Sequence, residues 1–186
     1  MTMTVTEINY SDIDQAILRE CFNKSLPFLD ASPVPNLMWE EMGTTDDVSE
    51  DAKFVVMQSA FEASSNGAFI FKIDIDGRIV NYNYAVRETR SPRMICHMMD
   101  LMREDAGGSQ GWSYAAEYYQ KLDAFFKSKS ENCATFSSWV YEDSGMEKAW
   151  DKSVSAGHIS YTVGETMTNY LSSGKEYRKL IITVLV

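Results

Sequence analysis

The run Gly107-Gly108-Ser109-Gln110-Gly111 stands immediately before a helical pattern that opens at Trp112. A helix N-terminus carries unsatisfied N–H donors and the positive end of the peptide dipoles, so such a turn can hold an anion. The same glycines can equally serve only to turn a strand into a helix. Asp100 and Glu104 flank the end of an apolar run, Met94 to Met102, and Glu88 closes the run before it. A carboxylate in such a place can take a proton from a reacting group or simply face water. His97 lies inside the apolar run, with a ring whose ordinary pKa suits a base. In a strand of strict alternation it shares a face with Ile95, Met99 and Leu101 and reads as a core or cleft histidine. Cys96, on the opposite face, has no basic neighbour in sequence to lower its pKa and reads as packing. Met94, Met98, Met99 and Met102 either fill irregular gaps or line an adaptable surface.

Composition narrows the classes of partner. The chain has 186 residues, 45% of them hydrophobic, which suits one folded domain. Seventeen basic residues against 27 acidic ones give a net charge of −10. Phosphate-backbone binding needs clustered Lys and Arg, so no nucleic-acid partner is expected. An acidic surface instead suits a cationic small molecule or a basic partner, and the run Asp46, Asp47, Glu50, Asp51 is a candidate for attracting one, or else a solvated helix start. Three cysteines without a CxxC spacing make no disulfide framework, and two histidines make a zinc cluster unlikely, so no metal is expected. The first ten residues lack the basic-then-apolar pattern of a signal peptide, and no apolar stretch reaches membrane-spanning length. A cytoplasmic protein without a membrane partner is the simplest expectation.

The elements that must position these groups follow from periodicity and turn chemistry. Ser11 with Asp14 predicts a capped helix whose apolar positions are Ile13, Ala16, Ile17, Cys21 and Phe22. Pro27 to Val48 reads as a loop. A second helix is expected from about Ser49 to Ser64, burying Val55, Val56, Ala60 and Phe61 and ending at Asn66-Gly67. Ala68–Ile75, the hairpin signal Asp76-Gly77, Arg78–Glu88 and Met94–Met102 predict an antiparallel meander. A long helix over about Trp112–Lys129 carries Ala115, Tyr119, Leu122 and Phe126 on one face. Then come a strand over Ala134–Tyr141, a short helix with Met146, Ala149, Trp150 and Val154 ending near Gly157, and two strands, His158–Leu171 and Tyr177–Val186, around a second hairpin.

This order, with a glycine-rich turn between the third meander strand and a long helix, resembles the GCN5-related N-acetyltransferases. The resemblance implies an α+β fold with a mixed, mostly antiparallel central sheet of about six strands flanked by helices. It implies one domain over residues 1–186, with 11–65 as a helical acceptor-side region and 67–186 as the sheet and cofactor-binding core. The family holds the pyrophosphate of acetyl-CoA on a Q/R-x-x-G-x-G/A turn. Here Gly108-Ser109-Gln110-Gly111-Trp112-Ser113 matches at Gly111 and the small Ser113, but Gly108 stands where Gln or Arg is usual.

The resemblance further implies that Asp100, Leu101, Met102 and Arg103 line the pantetheine arm, which pairs with a splayed strand like an added strand. It implies direct transfer of acetyl from acetyl-CoA to a primary amine of a small molecule or a basic peptide, with Asp100, Glu104 or Glu88 removing the amine proton. Many members protonate the leaving thiolate with a tyrosine about seven residues after an asparagine. Asp143 and Trp150 have that spacing here, and an indole cannot serve as that acid. Tyr141 or Tyr161 could stand in. The departures at Gly108 and Trp150 keep open a relative that binds but does not catalyse, and a homodimer also remains open.

A second resemblance, to the opening of PAS sensor domains, rests on Phe61 to Ile70, Asp76-Gly77-Arg78-Ile79-Val80 and Asn83. It implies short helices following Asn83, in place of a continuing strand.

Overall fold

Asp76 and Gly77 adopt φ of 50° and 80°, the positive values a two-residue primed hairpin turn demands. They join β2 (Ala68–Ile75) to β3 (Arg78–Arg87) in an antiparallel pair. The computed structural model describes residues 2–31, 48–63, 68–87, 94–102, 115–129, 135–141, 146–168 and 176–185. Ahead of this hairpin runs β1 (Met3–Glu7), which pairs antiparallel with β2. The Asp76 carboxylate accepts from the Thr2 N–H at 2.8 Å, tying the start of β1 to the turn. Sequence reasoning expected no element here, although Met3 and Val5 alternate with Thr4 and Thr6 as a half-buried strand should.

The remaining elements are α1 (Gln15–Ala31), α2 (Glu50–Glu62), β4 (Met94–Met102), α3 (Ala115–Ser128), β5 (Thr135–Tyr141), α4 (Met146–Ser155), β6 (Ile159–Thr168) and β7 (Glu176–Val184). Among the described residues the strands form one seven-stranded sheet in the order β1-β2-β3-β4-β5-β7-β6. Among these described strands only β4 and β5 run parallel; the other neighbouring pairs are antiparallel. This is the α+β class with a mixed, mostly antiparallel sheet. β3 continues through Asn83 to Arg87, so the short helices of the sensor-domain reading do not form.

Pleating sends alternate side chains to opposite faces, and the two faces carry separate cores. Ile70 and Tyr82 pack with Leu18 and Phe22 of α1 and Met57 and Phe61 of α2. Phe71 and Ala85 pack with Tyr119, Leu122 and Phe126 of α3 and Trp150 of α4. The expected stripe of α3 therefore faces the core at Tyr119, Leu122 and Phe126, all nearly or fully buried.

Three local expectations are corrected. Ser11 does not open the first helix: Tyr10–Asp12 form a 3-10 turn, and Asp14 caps α1 by accepting from Ala16 and Ile17 N–H at 3.0 and 3.2 Å. Pro27 does not end α1, which runs on through it to Ala31. In α2, Val55 is 56% exposed, while Phe54, Met57 and Phe61 are buried. Those three recur at i, i+3 and i+7, and their larger apolar area wins the core face over the β-branched residue beside them. The Ser49 hydroxyl caps α2 by accepting from the Ala52 N–H at 3.2 Å. The expected Asn66-Gly67 stop and the turn between β6 and β7 lie outside the described residues.

Candidate active site

β4 and β5 stay together only briefly. Their parallel register pairs Met94, Ile95 and Cys96 with Thr135, Phe136 and Ser137, and among the described residues no pair between them lies beyond Cys96↔Ser137. From there β4 follows β3 as far as Met102↔Asn81, and β5 follows β7 as far as Tyr141↔Tyr177. The sheet therefore parts between its two central strands. Residues 97–102 and 138–141 turn toward the gap backbone edges that, among the described residues, have no strand partner from the other side. An extended ligand can add itself to such an edge through main-chain hydrogen bonds.

The β3–β4 register also slips beside the gap. Tyr84 stands opposite Met99, but Ala85 stands opposite His97, so Met98 is an extra residue and β4 is bulged there. This overturns the strict alternation expected for the run. His97 and Asp100 stand opposite Ala85 and Asn83, whereas Met99 and Leu101 stand opposite Tyr84 and Tyr82. His97 thus shares its register side with Asp100 instead of with Met99 and Leu101.

Asp100, Leu101 and Met102 form the C-terminal end of β4, along the gap, and Tyr141 ends β5 on its other side. The topology brings these four to one opening. Arg103, Glu104 and Glu88, the whole turn Gly108 to Ser113 (Ser109, Gln110, Gly111 and Trp112 included) and Asp143 lie outside the described residues. Trp150, at the spacing of the family's tyrosine, is 1% exposed and stacks on Tyr119 with ring centroids 5.1 Å apart. It is a core residue of α4, and its Nε1 meets no hydrogen-bond partner among the described residues. Tyr161 sits on β6, separated from β5 by β7, and its hydroxyl donates to Asp151 Oδ1 at 2.7 Å.

Several residues around the opening escaped sequence reasoning. Ser137, at the vertex where the strands part, is fully buried, and its Oγ has no hydrogen-bond partner among the described residues. Asn81 and Asn83 of β3 are also buried, Asn83 completely. The signal was present in Asn81-Tyr82-Asn83-Tyr84, a period of two that sends amides to one face and phenols to the other. Tyr82 and Tyr84 titrate above the usual tyrosine range, chiefly because burial disfavours the phenolate, so both stay protonated at neutral pH. Among the described residues no cluster of His, Cys, Asp and Glu could hold a metal, and no helix is long and apolar enough to cross a membrane.

No protein-family model matches the sequence, and no curated protein sequence is similar to it. Solved structures do match the fold. An acetyltransferase from Salmonella typhimurium that modifies the N-terminal serine of ribosomal protein L7/L12 superposes with a TM-score of 0.61 at 12% identity, over 100% of this chain and 96% of that one. An N-acetyltransferase from Staphylococcus aureus Mu50 gives 0.56 at 13% identity, with both chains fully covered. A ribosomal L7/L12 alpha-N-protein acetyltransferase in complex with coenzyme A gives 0.58 at 14% identity, over 100% and 95% of the two chains. At these identities the likeness is one of fold, and it extends over the whole chain.

Proposed function

We propose that this chain, which has the fold of the GCN5-related N-acetyltransferases, transfers an acetyl group directly from acetyl-CoA to a primary amine. The observation that carries this reading is the parting of β4 from β5 beyond Cys96 and Ser137. The edge of β4 at Leu101 and Met102, which Arg103 follows in sequence, suits the amide-bearing pantetheine arm, whose length and alternating polar groups resemble a strand. Backbone N–H groups of Gly108 to Ser113, just before α3, would hold the pyrophosphate.

Asp100 or Glu104 removes the proton that a protonated amine carries, which frees its lone pair. Nitrogen attacks the thioester carbonyl, the C–S bond breaks as the C–N bond forms, the thiolate leaves with a proton from Tyr141, and the second proton that the nitrogen sheds restores the Tyr141 hydroxyl. The products are the N-acetyl amine and CoA. The net charge of −10 favours a cationic acceptor, whether a small amine or the amino terminus of a basic peptide. Two of the similar structures are enzymes that act on the amino terminus of a ribosomal protein, which supports trying peptide termini first.

A second reading is favoured by one observation: Trp150 is enclosed in the core at the position where the family's proton donor is expected. A protein of this fold without that donor can bind acyl-CoA and turn nothing over. Titration calorimetry with acetyl-CoA, compared with CoA, separates the possibilities. Micromolar binding that is lost in Gly111→Trp, with the fold intact by circular dichroism, supports the cofactor assignment. Thiol release with an amine or peptide panel then divides enzyme from binding module. No binding at millimolar acetyl-CoA would sink both readings.

A further inference from the structure

We propose that the Ser137 hydroxyl is a catalytic group: at the closed end of the gap between β4 and β5 it donates a hydrogen bond to the thioester carbonyl of acetyl-CoA and stabilises the oxyanion formed on attack. The inference rests on the acetyl-transfer reading and deepens it. Ser137 pairs with Cys96 of β4 on one side and with Ile181 of β7 on the other. Among the described residues it is the last position of β5 that is held on both sides. A ligand that adds itself to the edge of β4 must stop there, because at Cys96 the place beside β4 is already taken by β5.

The length of the gap decides which part of the ligand arrives at Ser137. From Cys96 to Met102 the edge of β4 runs for about 20 Å, at roughly 3.3 Å per residue. An extended pantetheine arm is of comparable length. The turn assigned to the pyrophosphate, Gly108 to Ser113, follows the Met102 end of β4 in sequence. An arm entering from that end lies along β4 with its thioester at the closed end, beside Ser137.

The chemistry of the residue fits that place. Phe136 packs under α3, its ring centroid 5.4 Å from that of Tyr119, and the β5–β7 register is regular, so alternation sets Ser137 on the opposite face of the sheet. Ser137 is fully buried, and its Oγ makes no hydrogen bond. A buried hydroxyl without a partner is a cost to the free protein that an alanine would not carry. With no bond to break, Oγ can turn between its staggered rotamers toward an arriving ligand. A thioester carbonyl is an acceptor only, and the hydroxyl supplies the donor it lacks. As the amine nitrogen attacks, the carbonyl oxygen gains negative charge, and a donor already desolvated strengthens most at that moment. No proton moves from Ser137: the oxyanion collapses to the new amide carbonyl as the C–S bond breaks.

The test is acetyl transfer and cofactor titration in wild type, Ser137→Ala and Ser137→Cys. Ser137→Ala is expected to lower kcat about a hundredfold, the scale of one lost oxyanion donor. CoA lacks the thioester carbonyl, so the variant's affinity for CoA stays that of wild type. A preference of wild type for acetyl-CoA over CoA, expected at about fivefold for one hydrogen bond, disappears in the variant. Ser137→Cys fills the same space with a much weaker donor and loses kcat in the same sense, which serves if the alanine variant does not fold. Folded variants with wild-type kcat and an unchanged ratio of the two affinities would overturn the inference and leave the acetyl-transfer reading standing. A wild-type protein that binds neither cofactor, or binds without turnover, would overturn the transfer reading and this inference with it.

Discussion

Tyr82, at the centre of β3, accepts a hydrogen bond at its Oη from the backbone N–H of Asp14, 3.1 Å away and 68 residues earlier in the chain. Asp14 is the residue that caps α1, so one phenol fixes where the first helix begins over the sheet. Tyr82 is fully buried, and Asp14 would otherwise present an unpaired donor at the helix entry.

Tyr82→Phe keeps the ring and removes this acceptor, and it is expected to cost about 1 kcal/mol. Its pH dependence carries a sign. The folded pKa of Tyr82 is raised by burial, while the unfolded chain titrates near 10.0. Above that pH the unfolded state sheds a proton the folded state keeps, so stability falls as pH rises through the alkaline range. Thermal melts between about pH 8 and 11, bracketing the ordinary tyrosine pKa, should show a shallower alkaline loss in Tyr82→Phe than in wild type. An identical slope would mean that Tyr82 is not the titrating group.

Ser137 and Cys96 are the last residues paired before β4 and β5 part. The buried Ser137 hydroxyl has no partner among the described residues, so Ser137→Ala removes a desolvated polar atom without breaking a hydrogen bond. The variant is expected to be neutral or more stable by up to about 1 kcal/mol in denaturant melts. A loss of more than about 1 kcal/mol would show that the hydroxyl has a partner in solution, with ordered water the first candidate.

Much of the meander was legible because its signals are local. Asp76-Gly77 names its own turn, and the bounds of β2 and β4 follow from runs of strand formers. The stripe Tyr119, Leu122, Phe126 likewise names a helix face. What stayed hidden depends on pairing at a distance. No glycine or proline marks the bulge at Met98, which exists only relative to β3, so His97 could not be placed on the right side from alternation alone. The opening has no motif either, since it arises where β5 leaves β4 to follow β7. The clearest motif-like stretch, Gly108 to Ser113, points to chemistry and says nothing of the geometry around it.

The core face of α2 offers a direct comparison of neighbours. Met57 is 1% exposed and packs between α1 and the sheet, whereas Val55, two residues before it, is 56% exposed. Met57→Ala is expected to cost about 2–5 kcal/mol through lost burial and the cavity left behind. Val55→Ala should change stability by less than about 0.5 kcal/mol, as surface substitutions do. Urea titration of the two variants checks this, and equal losses would return Val55 to the core.

Trp150 decides how far the family's chemistry carries over to α4. Its indole is packed against Tyr119 and sealed from solvent, so a tyrosine placed there would inherit a core position and no route to a leaving thiolate. Trp150→Tyr should therefore leave kcat for acetyl transfer unimproved and lower stability by about 1–3 kcal/mol, because a smaller ring with a new hydroxyl replaces a filled site. Trp150→Phe isolates the volume term, since among the described residues the indole Nε1 makes no hydrogen bond that phenylalanine would lose. Steady-state kinetics of the tyrosine variant separate the two cases: a gain in kcat of about tenfold or more would mean that α4 does face the reacting sulfur. An unchanged or reduced kcat leaves the proton for the thiolate to Tyr141, whose replacement by Phe should then lower kcat while sparing the affinity for acetyl-CoA.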